Sequence, residues 1–203
     1  MTMPVNNLTD GRPWALTETS APSTEPLTTA EAKQHFRVDH DEEDSLIDRC
    51  VTTARQQVES FTRRALINTT FTLKLDAFPH QIRPPRSPLS SVSSVTYLDT
   101  NGDSQTLSTD VYGVDTDTEP GRIYLKYNQV WPDTREIENA VTVTFVAGYG
   151  SATTSIPTNL LSAVALLAAH YYEFREPVIA GAIPTVVPMG IDRLLWPFRV
   201  MDI

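Results

Sequence analysis

The sequence predicts an α+β fold, with helices towards both ends of the chain and an antiparallel β region inserted between them. Three observations predict it. Val141, Val143 and Phe145 alternate with Thr142 and Thr144, the period-2 pattern of a half-buried strand. Just downstream, Leu160, Leu161, Val164, Leu166, Leu167, Ala168, Tyr171 and Phe174 cover almost the whole circumference of a helix over 157–175. Upstream, Leu46, Ile47, Cys50, Ala54, Val58 and Phe61 recur at spacings of three and four, which marks a long helix over 42–64.

Taken in order, residues 1–26 are poor in large apolar side chains and rich in Thr, Ser and Pro (Pro4, Pro13, Pro22, Pro26). Alone, such a segment is disordered or extended. It is expected to be an arm held by a partner chain or by its own domain. The first helix, 28–36, opens with Thr28-Thr29-Ala30-Glu31, a capping box in which Thr28 and Glu31 satisfy each other's orphan backbone donors. The helix over 42–64 has Asp41, Glu42, Glu43 and Asp44 at its start and Arg63 and Arg64 at its end, each favourable to the helix dipole.

The middle, 66–147, reads as β. Phe71, Leu73 and Leu75 alternate with Thr72 and Lys74, and residues 92–98 form a further strand. The prolines in Arg83-Pro84-Pro85-Arg86-Ser87-Pro88 keep that stretch extended. Asn101-Gly102 is a strong hairpin signal. Glu119-Pro120-Gly121 fits a type II turn. With residues 122–126 and 141–146, a sheet of five or six short strands is expected. Gly148 and Gly150 are suited to positive φ at the turn that follows. Pro157 suits the first position of the next helix, with Ser155 as its cap. That helix is apolar nearly all round, so it belongs in a core or an interface. At roughly 1.5–3 kcal/mol per large buried side chain, it is expected to supply much of the stability. After it come a linker from 177, a short helix over 191–196 and the apolar closing run PFRVMDI. An exposed apolar patch of that kind marks an interaction site.

Composition excludes several classes. The chain has 203 residues and a formal net charge of −9, which argues against a general nucleic-acid-binding surface. A single cysteine, Cys50, permits no intrachain disulfide and no Cys-based zinc site. No stretch is apolar for long enough to span a membrane, and the N-terminal residues lack a signal-peptide pattern. A soluble protein made in the cytoplasm is expected.

No catalytic, cofactor or metal constellation emerges. His35, His40, His80 and His170 form no HxH or HExxH pair. The acidic cluster at 39–44 lacks EF-hand spacing and reads as a solvated helix start. Gly148-Tyr149-Gly150-Ser151 has neither a third glycine nor a Gly-Lys-Ser/Thr, so it reads as a turn. His170 reads as a core histidine. Arg175 suits either the dipole of its own helix or a salt bridge to another subunit.

Several stretches, in order, carry a family resemblance: LTTAEAKQHFRVDHDEEDSLIDRCVTTARQQVESFTRRALI, RPPRSPLSSVSSVTYLD, EPGRIYL, VTVTFVAGYG, IPTNLLSAVALLAAHYYEFRE and LLWPFRV. Over residues 27–200 the chain resembles the head-tail connector, or adaptor, proteins of long-tailed bacteriophages and related gene-transfer particles. The resemblance implies a helical bundle built from both chain ends around the β insertion, with a connector core over 27–176. It implies a structural virion protein of the neck, made in the host cytoplasm and without enzymatic activity or cofactor. Such proteins form a homo-oligomeric ring, commonly of twelve copies, under the portal protein. The ring extends a channel through which DNA passes without sequence-specific binding, and it offers a surface to stopper or tail-terminator proteins. The C-terminal segment, 177–203, would dock on the portal through Leu194, Leu195, Trp196, Pro197, Phe198 and Arg199, unless Trp196 and Phe198 close the chain's own core. A stopper or tail-completion role is the neighbouring alternative, and a metal-dependent hydrolase using the 39–44 cluster a remote one.

Overall fold

In the computed structural model, which describes residues 14–175 and 189–201, the chain alternates between two compact units. One takes in 14–23, 68–149 and 200–201; the other takes in 24–67, 150–175 and 189–199.

The first unit is β. Its main sheet has five antiparallel strands in the order β1 (Trp14–Ser20), β2 (Thr69–Leu75), β8 (Val141–Ala147), β4 (Leu89–Leu98) and β5 (Ser104–Thr106). A second antiparallel sheet has three: β3 (Gln81–Ile82), β7 (Arg122–Leu125) and β6 (Tyr112–Asp115). One sheet of five or six strands was the expectation; among the described residues there are eight strands in two sheets. The alternation in β2 and β8 does what the period-2 pattern requires. Phe71, Leu73 and Leu75 are buried, as are Val141, Val143 and Phe145. Phe71 pairs in register with Phe145, and their rings stack with centroids 5.6 Å apart. Aromatic cross-strand pairs of this kind fix register as well as adding burial.

The arm segment 14–20 pairs with β2 of its own chain, from Trp14 opposite Leu75 to Ser20 opposite Thr70. Asn101-Gly102 does close the β4–β5 hairpin, within the five residues 99–103 that join the strands. The Gly102 N–H donates to the Asp99 carbonyl at 2.9 Å, with Gly102 at φ 93. The type II turn at 119–121 is a misreading. Gly121 does not adopt positive φ, and the Glu119–Pro120 bond is cis. Glycine is needed at 121 for space, because a Cβ there would lie 2.5 Å from Leu89 Cβ. Gly148 and Gly150 do take positive φ, 144° and 151°, where the chain leaves β8.

The second unit is helical. Thr28 and Glu31 form the expected capping box ahead of α1 (Thr29–Phe36), and Arg37 closes the helix in the left-handed region. α2 (Asp44–Thr62) buries Ile47, Cys50, Val51, Ala54 and Val58. Leu46 and Phe61, expected on that face, are half-buried at its margins. α3 (Thr158–Glu173) packs on α2 through Leu160, Ala163, Val164, Leu167 and Ala168. Ser155 does not cap α3: it lies in a 3₁₀ turn, Thr153–Ser155, and Pro157 itself occupies the cap position. After the linker residues 178–188, which lie outside the described residues, α4 (Met189–Leu195) adds Ile191 and Leu195 to the same core.

One buried polar network ties this unit together. Arg55, 5% exposed, sits on the core side of α2. Its Nε donates to Glu25 Oε2 at 2.8 Å and its Nη1 to Glu59 Oε2 at 2.7 Å. Glu25 also accepts from Thr52, and Glu59 accepts the Leu66 N–H at 2.8 Å. A buried guanidinium is tolerated because two carboxylates share it. The network joins the segment before α1, the body of α2 and the corner after it.

Candidate functional site

The C-terminal segment is held on the helical unit by side chains from the end of α2. A 3₁₀ turn, Trp196–Phe198, follows α4 directly. Arg64, 7% exposed, donates from Nε to the Phe198 carbonyl at 2.6 Å, with its guanidinium 6.0 Å from the Phe198 ring centroid. Arg199 lies between two aromatic rings, 5.3 Å from that of Phe61 and 5.5 Å from that of Trp196. Such cation–π contacts hold a planar guanidinium and a ring together at modest entropic cost.

This bracing sorts the six predicted docking residues. Leu195 is 3% exposed and belongs to the core beside Ile191. Leu194, Phe198 and Arg199 are half-buried, and Pro197 is exposed. Trp196 is 59% exposed. Neither Trp196 nor Phe198 simply closes the core: Phe198 is partly engaged, and most of Trp196 is left to solvent.

Arg175 is claimed within its own chain. Its Nη2 donates to both Glu43 carboxylate oxygens, at 2.7 and 2.9 Å, and its guanidinium lies 5.2 Å from the Tyr172 ring. Tyr172 donates its hydroxyl to the same carboxylate. That hydrogen bond and the Arg175 charge hold Glu43 below its ordinary carboxylate range, and Glu43 in turn raises Arg175 and Tyr172. Within this chain, Arg175 joins the start of α2 to the end of α3.

The acidic cluster at 39–44 is similarly spent on local partners. Lys33 bridges Asp41 and Asp44, the latter at 2.9 Å, and His40 Nδ1 lies 2.9 Å from Glu42. The Lys33 ammonium depresses Asp41 and is itself raised by the two carboxylates. Among the described residues no group of three or more His, Cys, Asp or Glu side chains is placed to hold a metal ion. No helix among them is long and apolar enough to cross a membrane. His170 is half-buried against Phe174, with ring centroids 4.9 Å apart.

Two further exposed apolar features lie outside the predicted docking residues. One is the turn after β7, where Tyr127 is 99% and Val130 79% exposed. Asn128 there has φ 61, and the Gln129 N–H donates to the Lys126 carbonyl at 3.1 Å. Behind it Trp131 stacks on Phe78 with centroids 4.8 Å apart, so the tip stands on a fixed base. The other is the outer side of α3, where Leu166 and Phe174 are each 45% exposed.

One chain thus threads a helical unit and a twin-sheet β unit alternately. Residues 27–115 match the family model of the phage gp6-like head-tail connector proteins. The fold agrees over nearly the full length. A chain from the neck of an empty gene transfer agent (GTA) particle, computed with C6 symmetry, is 27% identical. It has a TM-score of 0.78, over 93% of this chain and 96% of its own. A chain from the virion of a native GTA particle matches with the same identity, TM-score and coverage. A third, from the neck of a native GTA particle computed with C12 symmetry, is 25% identical with a TM-score of 0.76, again over 93% and 96%. No curated protein sequence matches.

Proposed function

We propose that this connector assembles as a ring of twelve copies on the portal protein of its particle, and that the ring continues the DNA channel towards the tail. The function is assembly, with no bond made or broken. Rotational symmetry in the necks that hold similar chains supports the ring. The exposed Trp196, on a turn braced by Arg64 and Arg199, is the observation that carries portal docking. Aromatic and Arg side chains at the centre of a patch are the residues that dominate binding energy. In this reading Trp196, Pro197, Phe198 and Arg199 meet the portal, with Leu194 at the margin, while Leu195 anchors the segment to its own core. The Tyr127–Val130 tip is the candidate contact for a stopper or tail-terminator protein. The formal net charge of −9 suits a channel that lets DNA slide.

Electron microscopy of the full chain mixed with the portal protein of the same genome tests this. A second ring stacked on the portal, with density for residues 194–199 against it, is the expected result. A bare portal beside free chain overturns the docking assignment and moves the protein to the tail side of the neck, as a stopper or completion protein.

A further inference from the structure

The outer side of α3 is built unlike a solvent face. Between Thr158 and Tyr172 the helix has no Asp, Glu, Lys or Arg, in a chain whose residues are 20% charged. Its inner side is filled by Leu160, Ala163, Val164, Leu167 and Ala168. On the outer side Leu166, His170 and Phe174 follow one another at intervals of four, with Leu166 and Phe174 each 45% exposed. Residues four apart lie one above another, so the three form a single stripe roughly 12 Å long. The neighbouring α2 shows the ordinary alternative: its outward positions are Asp48, Arg49, Gln56 and Ser60, all exposed. A helix that ends its folding with an uncharged outer stripe has not finished burying its surface.

Resting on the ring reading above, we propose that the Leu166–His170–Phe174 stripe is the surface covered by the next copy of this chain in the ring. Two arguments select a second copy. A closed ring joins its subunits heterologously, so every copy must offer one patch to the neighbour on one side and a different patch to the neighbour on the other. Permanent subunit contacts are also the ones whose centres are apolar and depleted of charge. An uncharged helix stripe fits a contact made once and kept. The chains from GTA necks that share this fold over 93% of its length come from assemblies with C6 or C12 symmetry.

The test places a benzophenone photo-crosslinking amino acid at position 166 of the full chain, expressed with the other particle proteins, and resolves irradiated particles by denaturing electrophoresis. A crosslinked species of twice the 22.6 kDa chain mass, containing only this chain, is the expected product. Particles that carry the chain but yield only adducts of another composition, or none, overturn the stripe as a ring contact and leave the neck assignment standing. Absence of the chain from purified particles overturns both. A second arm uses Leu166→Lys with Phe174→Lys. Because both side chains are already half in solvent, the variant should melt within a few degrees of the parent, yet be incorporated into particles at about one-tenth the level or less. Incorporation at the parent level by a folded variant overturns the inference.

Discussion

Two adjacent residues, Leu195 and Trp196, should respond to truncation in opposite ways. Leu195 is 3% exposed and Trp196 59%. Leu195→Ala opens a cavity in the helical core and should cost about 3 kcal/mol, within the usual range for such changes. In a domain of this size that lowers Tm by roughly 6–12 °C. A tryptophan presents on the order of 250 Å² of surface, so about 100 Å² of Trp196 is covered by its own chain and about 150 Å² is free. At about 25 cal/mol per Å², the covered part bounds the folding cost of Trp196→Ala at about 2.5 kcal/mol, and the area that alanine itself keeps brings it to about 1 kcal/mol. The free part bounds the docking contribution at about 4 kcal/mol. A realised value of about 2 kcal/mol weakens portal binding about 30-fold. Thermal melts of each variant, paired with titration of immobilised portal by the full chain, give both quantities. If Trp196→Ala unfolds the chain as readily as Leu195→Ala, the placement of Trp196 outside the core is wrong. If it melts normally and binds portal with parental affinity, the docking role is refuted.

Three further outcomes follow from the geometry. Arg55→Ala leaves the Glu25 and Glu59 carboxylates without their shared cation and should cost about 3–5 kcal/mol in urea melts, whereas an Arg55→Met variant with Glu25 and Glu59 both changed to Gln should recover much of that loss; recovery of nothing would show that the arginine acts through packing alone. Glu43 has its carboxyl held below the ordinary value of 4.5, so its contribution to stability is complete above about that pH and is lost as pH falls through the depressed value. Glu43→Gln should therefore flatten the fall in Tm between about pH 5 and pH 2, and an unchanged acid limb would sink the assignment. Gly121→Ala drives a Cβ against Leu89 Cβ and the Asp115 carbonyl, 2.5 and 3.2 Å away, and should cost about 1–3 kcal/mol as an overpacking change. A parental Tm for Gly121→Ala would show that the β4 backbone yields easily there.

What could be read from sequence was what neighbours in sequence decide. The Thr28/Glu31 capping box spans four residues, the Phe71–Leu75 and Val141–Phe145 alternations report burial strand by strand, and Asn101-Gly102 carries its hairpin locally. The rest was set at long range. β1 has polar residues at most positions, and only its pairing with β2, more than fifty residues away, makes it a strand. Gly121 looked like a turn residue, whereas its small size answers to Leu89 in another strand. Arg55 would be assigned to solvent by its charge alone; Glu25 and Glu59 hold it inside. The candidate site shows the same division. That the 194–198 run is apolar is plain in the text, but that Leu195 is buried and Trp196 exposed is seen only once the segment is placed on the helical unit, where Arg64 and Arg199 contact it.

The alternating path of the chain also dictates when its parts can fold during synthesis. β2 lies between β1 and β8, so a growing chain that has made Phe71 and Leu73 keeps that strand half-paired until residue 147 has left the ribosome. α2 waits longer, because its partner begins at Thr158. Both units thus mature almost together and late, through contacts of high sequence separation that form slowly. A chain interrupted before α3 lacks the helix that packs on α2, and the uncharged outer stripe of α3 is itself among the last surfaces to emerge. Under the proposed ring contact, a nascent chain therefore gains its surface for a neighbour only as its own helical core becomes able to close.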